Sequence, residues 1–198
     1  MYHKFFRLIY ISCSLVFIPL FANAELSTRD AWDNLKKLLE TGGYQVIGQE
    51  ISVGSDLSIK DVQISFEVDA QTYINFDIGS LNLTKNKDGF INIILPEEIY
   101  VQYLNEDQYG YKTEANILVR ARELDFKVSG KLSQVLYQLT ASSAGFVLVE
   151  LLDNGVISPD FSAEMELVLA DVNSTIRVAG VSTIEVTSLL SASGASIK

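Results

Sequence analysis

The first regular pattern of apolar residues, after an apolar leader, has the spacing of a helix. Its apolar positions recur three and four residues apart on one face: Trp32, Leu35, Leu38 and Leu39. Ser27 lies at the N-cap position, with Asp30 three residues further on, which is the spacing of a capping box. Gly42 and Gly43 are a strong stop signal, because glycine readily takes the conformation that ends helices. The pattern predicts one helix of about 14 residues, roughly from 28 to 41.

After Gly43 the pattern changes to an alternation of apolar and polar residues, which is typical of strands with one buried face. The phase of this alternation changes near Lys60-Asp61 and again at Gly79, and such changes suggest β-bulges. Residues 132–141 fit either a helix or a strand, and the strands around them favour a strand. Strands recur about every 10 to 12 residues with tight turns between them, which indicates an antiparallel meander.

These elements predict a mainly β fold of the α+β class, with one N-terminal helix packed on a curled antiparallel β-meander of about 8–10 strands. We expect a single β-rich domain over residues 25–186, preceded by a signal peptide over residues 1–24. The last segment, 187–198, is rich in Ser, Ala and Gly, and we expect it to be a flexible tail.

The leader has the three parts of a secretory signal peptide. Lys4 and Arg7 give it a positive start, residues 8–21 form an apolar run, and Ala22 and Ala24 have the spacing of a cleavage site. We therefore expect cleavage after Ala24 and a periplasmic or secreted protein. The alternative is a membrane anchor, but the run is shorter than the roughly 20 residues that a spanning helix needs. We expect no stable membrane span after cleavage.

Removal of the leader would change what the composition allows. The chain has 198 residues with one His and one Cys, and both His3 and Cys13 lie in the leader. Lys4 and Arg7 lie there too, so 13 cationic residues would remain against 25 acidic ones, and the net charge would change from −10 to −12. A chain without imidazole or thiol excludes Ser-His-Asp and Cys-His catalysis, structural zinc sites and thiol redox chemistry. The acidic balance also argues against nucleic acid as a partner.

We therefore expect a protein that is not an enzyme and that has no cofactor and no metal site. Catalysis by two carboxylates stays open as a reaction class, but 25 acidic residues do not single out a pair. The tyrosines of the middle of the chain suggest a sugar-stacking surface as a further alternative. Tyr100 and Tyr103 are an odd number of positions apart and so point to opposite faces of a strand, which argues against one aromatic stripe.

The dimensions of the predicted elements leave part of the sheet uncovered. The helix is about 21 Å long, whereas about nine strands make a sheet roughly 40 Å wide. One helix covers about a quarter of the apolar face, so the sheet must curl around its own core or hold an apolar ligand. The candidate lining residues, chosen for their alternation, are Ile64, Phe66, Ile74, Phe76, Ile117, Val119, Phe126 and Val128. The simpler alternative is that these side chains form an ordinary core.

Two segments carry a resemblance to a known family. The stretch AWDNLKKLLETGGYQV, followed by LSIKDVQISFE, resembles the start of the bacterial family called domain of unknown function 2125, and VSGKLSQVLYQLTASSAGFVL looks like its later strands. These are secreted, mainly alphaproteobacterial proteins with no known activity, so the resemblance implies export but no catalytic residues. The segment LSIKDV is also similar to one in AsmA-like envelope proteins, which implies a possible role with lipids.

The sequence therefore favours a non-enzymatic binding protein of the cell envelope that holds a lipid or other apolar ligand against a concave sheet face. The alternative is a structural or protein-interaction module of the envelope without a small-molecule ligand. Such a module would contact an envelope protein partner through strand edges or through its acidic surface.

Overall fold

The structure is a computed structural model that describes residues 25–158, 165–179 and 185–197. The predicted cleavage residues Ala22 and Ala24 lie outside the described residues. The described part of the chain contains no helix with the length and hydrophobicity that a membrane crossing requires.

Helix α1 spans Thr28–Thr41, as the sequence predicts. Its N-terminus is a capping box: the Ser27 hydroxyl accepts a hydrogen bond from the Asp30 backbone N–H at 3.1 Å, and the Asp30 carboxylate accepts one from the Ser27 backbone N–H at 3.1 Å. These two bonds satisfy backbone donors that no carbonyl within the helix can reach. At the other end the Gly42 N–H donates to the Leu38 carbonyl at 3.1 Å.

The remaining elements are strands. They are β1 (Tyr44–Val53), β2 (Asp56–Asp69), β3 (Thr72–Lys85), β4 (Ile91–Ile94), β5 (Glu98–Glu106), β6 (Lys112–Arg122), β7 (Asp125–Lys131), β8 (Gln134–Asp153), β9 (Val156–Ile157), β10 (Met165–Ala179), β11 (Glu185–Ser191) and β12 (Gly194–Ile197). All of their pairings are antiparallel, and they belong to one sheet. The prediction of a mainly β fold with one N-terminal helix and an antiparallel sheet is confirmed.

The sheet follows two routes between its longest strands. One route runs β1-β2-β3-β4-β7-β8-β10-β11, and a second route joins β3 to β8 through β5 and β6. Strand β3 pairs with β5 over residues 72–77 and with β4 over residues 82–85. Strand β8 likewise pairs with β7 over residues 134–140 and with β6 over residues 143–153. Among the described strands, β1 forms one edge of the sheet, and β11 and β12 follow one another along the other edge.

The predicted phase changes coincide with irregularities of register in β2 and β3. The pairing shifts on either side of Val62, where Asp61 has φ of 53°, and Val62 pairs with Gly79, which has φ of 73°. Ile59 and Val62 are both fully buried at 0% exposure although they are an odd number of positions apart. An extra residue between them is what keeps both side chains on one face.

The core lies between helix α1 and the sheet. Its buried members are Leu26, Ala31, Trp32, Val46, Leu57, Ile59, Val62, Leu81, Leu83, Ile91, Ile93, Val128, Val135, Tyr137 and Val178. The polar atoms of the helix face are satisfied at the same place: Trp32 Nε1 donates to Glu50 Oε1 at 2.9 Å, and Arg29 bonds the other oxygen of that carboxylate at 2.6 Å. The helix is therefore fixed on β1 by burial and by hydrogen bonds together.

The C-terminal half differs from the expected series of short strands. Residues 134–153 form one strand of 20 residues, so the ambiguous segment is a strand and is continuous with the apolar run after it. Residues 165–179 likewise form one long strand, β10. Most of the expected flexible tail is paired to β10 as β11 and β12. Edge strands need only backbone hydrogen bonds, so a Ser/Ala/Gly composition does not reveal them.

Candidate binding face of the sheet

One row of paired residues carries apolar side chains across six strands. Residues that pair directly on neighbouring strands point to the same face of a sheet. The row crosses β1, β2, β3, β5, β6 and β8 and consists of Val46, Ile64, Phe76, Val101, Ile117 and Leu148. At a strand spacing of roughly 4.8 Å, the row is about 24 Å long. It is continuous, because every member is the direct partner of the next.

Two flanking rows lie on the same face, since alternate residues of a strand share a face. One row consists of Tyr44, Phe66, Ile74, Tyr103 and Ala115. The other consists of Ile99, Val119, Phe146 and Leu167. At the β1 end, the rings of Tyr44 and Phe66 stack with their centroids 4.8 Å apart. We refer to the three rows together as the apolar face.

The apolar face is more exposed than the core beside it. Phe146 and Leu167 keep 37% and 38% of their surface exposed, and most other members are partly exposed, whereas Leu83 in the core is fully buried. The main contacts of α1 are with β1, β2 and β3. Val46 belongs to the core cluster and Ile64 packs against it. The apolar face thus begins at the core and continues away from it across the sheet.

The structure divides the predicted lining residues into two groups. Six of them belong to the apolar face: Ile64, Phe66, Ile74, Phe76, Ile117 and Val119. The other two, Phe126 and Val128, lie on β7 and pair with Leu139 and Tyr137 of β8. Val128 is fully buried in the core cluster, and Phe126 packs against that cluster with its ring centroid 6.3 Å from that of Tyr137. These two residues are core.

Nine members of the apolar face are not among the predicted lining residues, and Val101, Phe146 and Leu148 show why. Val101 follows the same alternation as the residues that were chosen, so its signal was present in the sequence. Phe146 and Leu148 lie in a run that is almost entirely apolar, in which alternation does not show which side chains share a face. Pairing with β6 places both on the apolar face, opposite Val119 and Ile117.

The opposite face of the same strands is largely polar. Its central row consists of Gln45, Ser65, Asn75, Gln102, Asn116 and Glu150, again direct partners across β1, β2, β3, β5, β6 and β8. Gln102 Nε2 donates to Glu114 Oε1 at 2.7 Å, and Asn116 Nδ2 donates to Glu150 Oε2 at 3.0 Å. Leu118 and Val147 also lie on this face and are buried at 6% and 5% exposure, so the face is polar along its central row and apolar beside it.

Within the described part of the chain, two groups have shifted pKa values, and both lie outside the apolar face. The backbone N–H of Gln71 donates to the Asp69 carboxylate and lowers its pKa, and the Thr72 hydroxyl adds to this effect. Burial raises the pKa of the Tyr137 hydroxyl well above its ordinary value. The described residues include no group of three or more His, Cys, Asp or Glu side chains placed to hold a metal ion.

Comparisons of the chain with protein-family models, with curated proteins and with solved structures give no match. The resemblance to the family called domain of unknown function 2125 and to AsmA-like proteins therefore stays an expectation from the sequence. The function has to be argued from the geometry of the two sheet faces.

Proposed function

We propose that the protein is a non-enzymatic binding protein of the bacterial cell envelope that holds a lipid or other apolar ligand against the apolar face. The observation that carries this proposal is the continuous apolar row from Val46 to Leu148, about 24 Å long. A ligand laid along this row would remove partly exposed apolar surface from water, which is favourable by about 25 cal/mol per Å².

The asymmetry of the sheet supports the same proposal. A sheet with two solvated faces needs no apolar row on either of them, yet Phe76 and Ile117 alternate with polar Asn75 and Asn116 on the same strands. Their partial exposure contrasts with the complete burial of Val128 in the core. Val46 and Val101 are buried, whereas the other members of the apolar face are at least partly exposed, and exposed apolar patches mark binding sites.

The proposed location rests on the leader. Export to the periplasm by a signal peptide over residues 1–24 would bring the protein to a compartment bounded by two membranes. A cysteine-free mature chain is compatible with that oxidising compartment, because it has no thiol to be oxidised.

Binding of a dansyl-labelled fatty acid to the purified exported protein tests the proposal. Phe76→Gln replaces an aromatic ring of the apolar face with an amide and should weaken binding about tenfold, which is the order expected for one apolar side chain. Tyr73→Gln is the matched control, because Tyr73 lies on the same strand but on the opposite face and is 45% exposed. The proposal fails if the wild-type protein does not bind the probe, or if both variants weaken binding equally.

The edges of the sheet favour a second candidate, a protein-interaction module of the envelope. Ile47, Ile51 and Val53 of edge strand β1 are 59%, 41% and 69% exposed. An open edge with exposed apolar side chains can accept a strand from another protein. A photo-crosslinking amino acid at residue 51 should then capture a protein in the periplasm, whereas the same group at residue 76 should capture lipid if the first proposal holds.

A further inference from the structure

The polar face of the sheet contains a depression behind the apolar face. It has a volume of about 380 Å³, and the residues that line it include the polar ones Asn75, Asp77, Gln102 and Asn116 together with Tyr100. Val101 and Ile117, which belong to the apolar face, are also part of the lining. This volume lies within the range of small-ligand sites, roughly 300–1,000 Å³. From its composition we propose that the depression binds an uncharged oligosaccharide, at a site separate from the apolar face.

The amides of the depression suit a ligand with many hydroxyl groups. Asn75, Gln102 and Asn116 are direct partners on β3, β5 and β6, so three amide side chains follow one another at roughly 4.8 Å. Each amide offers both donors and an acceptor, as each sugar hydroxyl does. A row of amides across the strands can therefore form paired hydrogen bonds with successive hydroxyl groups of a sugar chain.

Two of these amides are held in place by carboxylates. Gln102 donates to Glu114 at 2.7 Å, and Asn116 donates to Glu150 at 3.0 Å. The Asn116 amide nitrogen also donates to Glu114 Oε1 at 3.5 Å, so both of its N–H groups have partners. The second N–H of Gln102 and the carbonyl oxygens of both amides are left for a ligand. An amide fixed in this way loses less side-chain entropy when a ligand binds, so these contacts favour binding.

Tyr100 supplies the apolar part of the site. It is 58% exposed at the depression, and Val149, also part of the lining, is 44% exposed. A sugar ring presents C–H groups on its faces and hydroxyls around its rim, so it suits an exposed aromatic ring beside hydrogen-bonding groups. Tyr100 and Tyr103 lie on opposite faces of the sheet, so they do not form an aromatic stripe. A sugar can also be held by one tyrosine beside a row of amides, and the depression has this arrangement.

Charge decides which sugars fit. The lining includes the carboxylate of Asp77, the amides next to it are bonded to Glu114 and Glu150, and none of the described residues that line the depression is cationic. A carboxylated or phosphorylated sugar would be repelled at such a site, whereas an uncharged one would not. The amides and Tyr100 lie on the face of the sheet opposite to Phe76, and the two sites share only Val101 and Ile117. The inference therefore does not depend on the proposed function.

Isothermal titration calorimetry of the exported protein tests the inference with three uncharged probes, chitohexaose, cellohexaose and maltohexaose. We expect at least one of them to bind, and Tyr100→Ala and Gln102→Ala each to weaken that binding by about tenfold or more. Tyr109→Ala is the matched control, because Tyr109 is 86% exposed in the turn after β5 and lies outside the depression. This variant should bind as the wild type does.

Three results would overturn the inference. The first is that none of the uncharged hexasaccharides binds. The second is that an anionic oligogalacturonate binds as tightly as they do. The third is that Tyr109→Ala weakens binding as much as Tyr100→Ala. Circular dichroism of each variant shows whether it is folded, and only folded variants are compared for binding. If Tyr100→Ala does not fold, Gln102→Ala tests the same site.

Discussion

The hydroxyl of Tyr137 in β8 lies 2.9 Å from Oδ1 of Asn34 in helix α1 and 3.2 Å from the carbonyl oxygen of Ala31. Its single proton can be donated to one of these oxygens at a time. The residues are more than 100 positions apart in the chain, so this contact connects the N-terminal helix to the C-terminal half of the sheet. Because Tyr137 is 2% exposed, the contact is protected from water.

Tyr137→Phe should lower the free energy of unfolding by about 0.5–1.5 kcal/mol near neutral pH, because it removes this hydrogen bond. It should also change the response to alkaline pH. Burial raises the pKa of Tyr137 in the folded protein, so above the ordinary value of 10.0 the unfolded chain releases a proton that the folded protein keeps. The contribution of this residue is therefore complete below about pH 10 and is lost above it, at up to about 1.4 kcal/mol per pH unit.

Urea denaturation between pH 7 and pH 11.5 measures both effects. The wild-type protein should lose stability more steeply above pH 10 than Tyr137→Phe does. Tyr109→Phe is the control, because it removes a tyrosine hydroxyl outside the core, from a side chain that is 86% exposed. This variant should behave as the wild type does. Equal slopes for the wild type and Tyr137→Phe would show that Tyr137 does not titrate as a buried group.

Glu50→Ala should destabilise the docking of the helix by about 1–3 kcal/mol, because it leaves the buried indole N–H of Trp32 without an acceptor. Trp32 is 2% exposed and donates to Glu50 Oε1 at 2.9 Å. Arg29→Ala leaves the indole bond in place and removes the ion pair with Glu50 and a hydrogen bond to Ser52 Oγ at 3.0 Å. The arginine side chain is 52% exposed, so this variant should lower stability by less than about 1 kcal/mol.

The emission of Trp32 reports this prediction directly, because it is the one tryptophan in the chain. The emission maximum of Glu50→Ala should lie at a longer wavelength than that of Arg29→Ala, or its unfolding midpoint should lie at a lower urea concentration. If the two variants behave alike, the ion pair and not the indole hydrogen bond fixes the helix.

Gly48→Ala should destabilise the protein by about 1–3 kcal/mol through overpacking. A Cβ at position 48 would lie 2.6 Å from Cγ2 of Ile59 and 3.3 Å from Cγ2 of Val62, two fully buried side chains. Gly194→Ala is the control, since a Cβ there meets nothing within 4 Å. Thermal denaturation should show a lower midpoint for Gly48→Ala and an unchanged midpoint for Gly194→Ala. An unchanged midpoint for Gly48→Ala would mean that β1 can move away from β2 without a loss of stability.

The local features of this fold are visible in the sequence, whereas its pairing is not. Ser27, Asp30 and the two glycines after the helix act within a few residues, so the bounds of α1 follow from them. The phase changes at Asp61 and Gly79 are also local. The second route between β3 and β8 depends on contacts between residues far apart in the chain. Each of these strands changes partner halfway along its length. Alternation alone does not identify the partner of a strand, so the sequence does not predict this route.

The same limit explains the candidate residues. Alternation predicts which side chains of a strand share a face, so it puts Ile64, Phe76 and Ile117 into one set of candidates. It does not distinguish a groove from a core, so Phe126 and Val128 belong to the same set. Only the pairing of β7 with β8 puts these two in the core.

Val128→Ala and Val119→Ala make the same change in the core and on the apolar face. Val128 is fully buried, so its truncation should lower stability by about 2 kcal/mol, whereas partly exposed Val119 should lower it by less than about 1 kcal/mol. Chemical denaturation of both variants measures the difference. If Val119→Ala is as damaging as Val128→Ala, the apolar face is packed in solution and the proposed ligand site loses its support.

The proposed leader gives the last prediction. If cleavage follows Ala24, N-terminal sequencing of the exported protein should begin at Glu25, and a maleimide should find no thiol to label, because Cys13 is removed. Ala24→Lys should block processing and leave a longer protein that maleimide labels, since a large charged residue does not fit a small-x-small site. An exported protein that begins at Met1 would contradict the proposal. It would also restore His3 and Cys13 to the mature chain, and the exclusion of imidazole and thiol chemistry would no longer hold.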